Sequence, residues 1–122
     1  RVSARRQLNE ALIATGTPYK GHGDFEEWAK IFGAIGPSVS GIRRFGAASL
    51  DLAWLAAGRY DGFWESGLSP WDTAAGGLLV REAGGFVTDY RGRSPHIADA
   101  QVLAANDILH SKLHKLLVGA LK

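Results

Sequence analysis

The chain lacks cysteine and methionine altogether and holds only four prolines in 122 residues. Without cysteine there is no disulfide and no thiolate metal site, a usage that suits a reducing compartment and makes the cytoplasm the expectation. Arg1 opens a chain with no methionine, so a fragment, a processed form or a trimmed form is expected. No long hydrophobic run occurs near the start, where Arg5, Arg6, Asn9 and Glu10 break up the apolar residues, so neither a signal peptide nor a membrane span is expected. Charge of one sign is also missing. Fourteen basic against twelve acidic groups leave a formal +2, too little to argue for nucleic acid, and a pI near 9.2 fits a mixed solvated surface. No P-loop, Gly-x-Ser-x-Gly elbow or Gly-x-Gly-x-x-Gly fingerprint is present. What remains is an ordinary globular composition, 46% hydrophobic and 21% charged, long enough for one domain with a real core.

Glycine and proline punctuate short periodic segments. Ala11 to Thr15 predicts a buried strand, and Lys20 to Gly23 a loop. Phe25, Trp28, Ala29, Phe32 and Ile35 fall at helical spacing behind Asp24 as N-cap, with Pro37 as a stop. A strand around Ile42 to Phe45 leads to a helix over 48–57 carrying Leu50, Trp54 and Leu55, closed by Gly58. Residues 59–65 alternate as a strand with Tyr60, Gly62 and Trp64 on one side, although Asp61-Gly62 can instead mark a hairpin turn. Residues 70–83 predict a helix closed by Gly84-Gly85, and 86–90 a strand turning at Arg91-Gly92. A polar loop through Pro95 and His96 follows, then a strand over 101–105. Asn106 or Asp107 caps a last helix with Ile108, Leu109, Leu113, Leu116 and Leu117 as its apolar stripe. Such alternation predicts an α/β fold, a mostly parallel sheet layered between helices, with ligands at strand ends and helix N-termini.

Asp72 stands in the first turn of a helix, behind Trp71 and ahead of small residues. Ser69-x-x-Asp72, with Pro70 at the first helical position, has the outline of a capping box; a metal-ligand role is equally open. Glu65 ends a strand seven residues earlier. Gly46-Ala47-Ala48 reads either as a tight strand-to-helix turn or as backbone offered to a ligand. Trp54 and Trp71 are expected in the core, since no basic stripe accompanies them as single-strand nucleic acid binding requires. His110 and His114 lie four apart but lack the glutamate of a metalloprotease motif, so a solvated face is expected; His22 and His96 sit in loops.

The run Ser69-Pro70-Trp71-Asp72-Thr73-Ala74-Ala75-Gly76-Gly77, continuing to Glu82-Ala83-Gly84-Gly85, closely resembles the second signature of the inositol monophosphatase family of metal-dependent phosphatases. Gly41-Ile42-Arg43-Arg44-Phe45-Gly46-Ala47-Ala48-Ser49-Leu50-Asp51-Leu52 resembles the same family at the expected distance. Its first signature, an Asp-Pro-Ile/Leu-Asp-Gly-Thr stretch after a Glu-Glu pair, is missing. By resemblance, residues 1–122 are a single domain, the C-terminal half of a two-domain phosphatase whose N-terminal metal-binding half is absent. The resemblance implies hydrolysis of inositol monophosphate or a similar polyol phosphate with Mg²⁺ as cofactor. It makes Asp72 a metal ligand that also contacts substrate, Glu65 a hydrogen-bond partner of substrate hydroxyls, and the backbone of Gly46, Ala47 and Ala48 a wall of the site. Ala47 replaces the Ser or Thr of many relatives, so any hydroxyl contact there is lost. Arg43 and Arg44 are expected to brace a domain or dimer interface. Apolar surface exposed by loss of the other half makes self-association as a homodimer the expectation, and the resemblance implies no meaningful turnover by these residues alone, since the remaining metal ligands belong to the other half. Histidinol-phosphate, fructose-bisphosphate and nucleotide 3′-phosphate phosphatases share versions of the motif. Some bacterial relatives suggest a non-catalytic alternative, an interaction module of the transcription machinery; a metal-free polyol-binding relic is a third.

Overall fold

The computed structural model describes residues 1–18, 24–93 and 101–122. The loop expected at 20–23 with His22, and the turn through Pro95 and His96, lie outside the described residues. Five strands form one sheet: β1 (Leu12–Thr15), β2 (Gly41–Arg43), β3 (Gly62–Glu65), β4 (Phe86–Thr88) and β5 (Val102–Ala105), in the order β2-β1-β3-β5-β4. β2, β1 and β3 pair in parallel, whereas β5 runs antiparallel to both β3 and β4. Four of the five strands therefore point the same way. The sheet is mixed, with β5 alone reversed.

Helices α1 (Phe25–Ile35), α2 (Ala48–Ala56), α3 (Pro70–Glu82) and α4 (Asp107–Ala120) cover both faces. The strands are buried on both sides, so neighbouring residues serve opposite cores. Ile13, Trp64, Leu103 and Ala105 meet Ile31 and Ile35 of α1 and Leu109, Leu113 and Leu117 of α4. Ala14, Phe63, Val102 and Ala104 meet Leu52 and Leu55 of α2 and Val80 of α3. Each large aliphatic side chain in these layers contributes roughly 1.5–3 kcal/mol by leaving water. α2 and α3 approach closely because Gly76 has no side chain: a Cβ there would overlap Leu52.

Local chemistry sets the ends. Asp24 accepts from Glu27 N at 3.1 Å and Asn106 from Leu109 N at 2.8 Å, so Asn106 rather than Asp107 caps α4. Gly84, at φ +88°, ends α3 in a left-handed turn, with Gly85 N bonded to Val80 O at 2.8 Å. Asp61-Gly62 makes no hairpin. Asp61 is buried and brackets the start of β1, its Oδ2 accepting from Leu12 N and its own N–H donating to Leu12 O, each at 2.8 Å. Strand β3 thus begins only at Gly62, and Tyr60 belongs to the opposite core from Trp64, against the alternation expected from sequence.

The chain leaves β1 through α1 toward β2, on one side, and leaves β3 through α3 toward β4, on the other. These two strands are neighbours whose exits diverge, and a crevice opens above their carboxyl ends at such a switch point.

Candidate active site

A cleft of about 640 Å³ occupies that position. Its walls are Thr17 and Pro18 after β1, Gly46 and Ala47 before α2 with Ala48 and Ser49 in its first turn, Glu65 at the end of β3 with Ser66 to Ser69 after it, and Trp71 and Asp72 in the first turn of α3. Gly46, Ala47, Ala48, Glu65 and Asp72, separated by up to 26 positions in sequence, all line this one space. Gly46 turns at φ +87°, which a side chain would resist, and delivers the chain into α2. Ala47 opens α2 without a side-chain cap hydrogen bond, which leaves the positive end of that helix available to a polar group.

Glu65 reaches the cleft from the end of β3, on the face covered by α2 and α3. Its carboxyl is pushed up to about 7, first by burial, then by the charges of Asp51 and Asp72, with Arg44 opposing. Near neutrality such a group both accepts and donates hydrogen bonds, which matches the two-way bonding of hydroxyls. Behind it, Asp51 of α2 is fully buried and pushed up to about 6 by burial, the Tyr60 hydroxyl pulling the other way. That hydroxyl donates to the Asp51 carbonyl oxygen and lies 3.4 Å from Oδ1, while Oδ2 has no partner among the described residues. Phe45 stacks on the Tyr60 ring at 5.6 Å and meets Trp54 edge-on at 5.5 Å, fastening the chain just before Gly46.

Asp72 is half-buried, and its Oδ2 accepts from the Ser69 hydroxyl at 2.7 Å. Ser69 does not cap the backbone with its side chain, so the expected capping box is replaced by a side-chain pair. That bond orients the carboxylate and leaves Oδ1 for a hard cation or a hydroxyl. No group of three or more His, Cys, Asp or Glu that could hold a metal exists among the described residues. This donor set therefore fits one corner of a Mg²⁺ site and not a whole one.

Two expectations fail here. Trp71 is 72% exposed at the mouth of the cleft rather than in the core, because position 71 opens α3 on the side away from the sheet. His110 is buried, not solvated: its Nε2 lies 2.8 Å from Thr88 Oγ1 and its ring stacks on His114. Sequence reasoning also passed over Ser69, which lines the cleft, and Asp51, whose charge acts on Glu65. Asp51 carried a signal, as a charged residue inside an apolar helical stretch.

Comparison with known proteins agrees with the motifs. The family model described as "Inositol monophosphatase family" matches residues 1–122. An inositol-1-monophosphatase of Caulobacter vibrioides is 46% identical over 122 residues, covering 98% of this chain and 47% of that protein. A protein of Pseudomonas aeruginosa named Nus factor SuhB is 48% identical over 108 residues, covering 87% of this chain and 40% of its own length. Among solved structures, the extragenic suppressor protein suhB of Bartonella henselae superposes with a TM-score of 0.90 at 49% identity, over 96% of this chain and 45% of that one. The inositol monophosphatase of Anabaena superposes at 0.85 with 38% identity, over 98% and 47%. The chain spans less than half the length of these relatives. It belongs to the inositol monophosphatase family.

Proposed function

We propose that this chain is the substrate-side half of a Mg²⁺-dependent phosphatase that hydrolyses inositol monophosphate or a similar polyol phosphate in the cytoplasm, as a homodimer. The observation that carries the reading is the gathering of Glu65, Asp72 and the Gly46–Ala48 backbone around one cleft at the switch point of the sheet. Glu65 orients the ring hydroxyls. The exposed N–H groups that open α2 take a hydroxyl or ester oxygen, and Asp72, aimed by Ser69, offers Oδ1 to the metal and the alcohol side of the ester. Bound Mg²⁺ supplies polarisation of the phosphate and activation of water. Its remaining ligands come from outside these residues, so the 122-residue chain alone is expected to be inactive.

The test is release of inorganic phosphate from inositol 1-phosphate by the complete protein. Turnover should require Mg²⁺ and fall by at least about a hundredfold in Asp72→Asn. Full activity in that variant, or turnover by the 122-residue chain alone, would overturn the assignment. Relatives named Nus factor SuhB in Pseudomonas aeruginosa and Escherichia coli favour a second reading, a module that binds the transcription machinery. Capture of transcription proteins that survives Asp72→Asn would support it; loss of capture in that variant would count against it.

A further inference from the structure

Gly16 follows β1 and sits beside Glu65 across the parallel β1–β3 pair, whose register sets Thr15 against Trp64 one residue earlier. Its backbone is not in the left-handed region, so conformation alone would admit any residue there. Space would not. A Cβ built on Gly16 would overlap Cδ, Oε1 and Oε2 of Glu65 together. The whole carboxylate of Glu65 therefore lies flat over the missing side chain of its neighbour strand. Gly46 in the cleft wall lacks this relation: nothing stands within 4 Å of a Cβ built on it.

We infer that Gly16 is a positioning residue, the berth that fixes the Glu65 carboxylate against the hydroxyl-binding wall of the cleft. This rests on the proposed recognition of a polyol by Glu65. Any side chain at position 16 must push the carboxylate off the sheet, toward the space a substrate ring would take. The effect on selectivity should therefore run through Glu65 alone. The three atoms nearest to a Cβ at position 16 all belong to that carboxylate.

A double-mutant cycle on the complete protein decides the matter. The readout is the ratio of kcat/KM for inositol 1-phosphate to that for p-nitrophenyl phosphate, which offers no hydroxyls to Glu65. Gly16→Ala should lower this ratio about tenfold or more with Glu65 in place, as expected for a misplaced charged hydrogen-bond partner. In a Glu65→Ala background the same change should leave the already reduced ratio where it was. Equal losses in both backgrounds would overturn the inference. If Gly16→Ala folds only when Glu65 is also alanine, the berth is supported; if it folds in neither, the damage is general and the inference falls. A wild-type protein that ignores inositol 1-phosphate would sink the functional reading instead. Thermal melts would then decide the berth, with destabilisation by Gly16→Ala confined to the Glu65 background as the supporting result.

Discussion

Asp51→Asn should make the protein relatively more stable as pH rises. Asp51 is fully buried, Oδ2 has no partner among the described residues, and burial lifts its carboxyl from 3.8 to about 6. An acid whose folded pKa lies above its unfolded value binds its proton more tightly when folded. Its ionisation therefore costs nothing below the unfolded value, grows through the window from 3.8 to about 6, and is complete above it. The full penalty is about 3 kcal/mol, of which about 2 kcal/mol accrues between pH 4.5 and pH 7.5. Asparagine removes the charge yet keeps an oxygen beside the Tyr60 hydroxyl. Its amide leaves a buried donor without a partner, a cost of about 1–3 kcal/mol that does not change with pH. Relief of the Asp51 field on Glu65 works in the same direction as the main effect. Urea unfolding followed by tryptophan fluorescence at the two pH values measures the difference. A gap between variant and wild type that stays constant, or that moves against the variant as pH rises, would refute the reasoning.

Gly76→Ala should destabilise by about 1–3 kcal/mol in thermal melts, since overlap with Leu52 outweighs the better helix propensity of alanine, and Leu52→Ala in the same chain should recover part of the loss. Asp89 is buried, and although burial alone would raise its carboxyl, the Arg93 and Arg91 N–H groups and the Arg93 guanidinium hold it below the usual range. Its folded pKa being depressed, Asp89 should stabilise above the unfolded value of 3.8 and lose that effect as pH falls through the lower folded value. Asp89→Ala should then cost about 1–3 kcal/mol at pH 7 and clearly less near pH 2, as urea titrations at both would show. Trp71→Ala should shift stability by no more than about 0.5 kcal/mol, because the ring is 72% exposed, and a larger loss on unfolding would contradict its placement at the cleft mouth.

Much of this fold is legible in the sequence because helix stops and caps act locally. Asp24, Asn106 and Gly84-Gly85 perform the end-capping expected of them. What periodicity hides is pairing. Phe63 and Trp64 are both fully buried in adjacent positions, so no alternation reveals which core each serves. The reversal of β5 is likewise unmarked, since a four-residue strand buried at every position carries no sign of its direction. Residues that line the cleft stand out in the sequence where a motif marks them, at Asp72, Glu65 and Gly46 to Ala48. Gly16 does not stand out, because its importance lies in the side chain of another strand 49 positions away. Trp71 shows the opposite failure: a large apolar residue at helical spacing reads as core until the helix is oriented.

The most direct test is a crystal structure of the complete protein with Mg²⁺ and inositol 1-phosphate bound under conditions too cold or too acidic for turnover. The expected density places ring hydroxyls on Glu65 and the Gly46–Ala48 backbone, with Mg²⁺ bonded to Asp72 Oδ1. A ligand seated elsewhere on the molecule, with Glu65 and Asp72 left untouched, would contradict the assignment of this cleft.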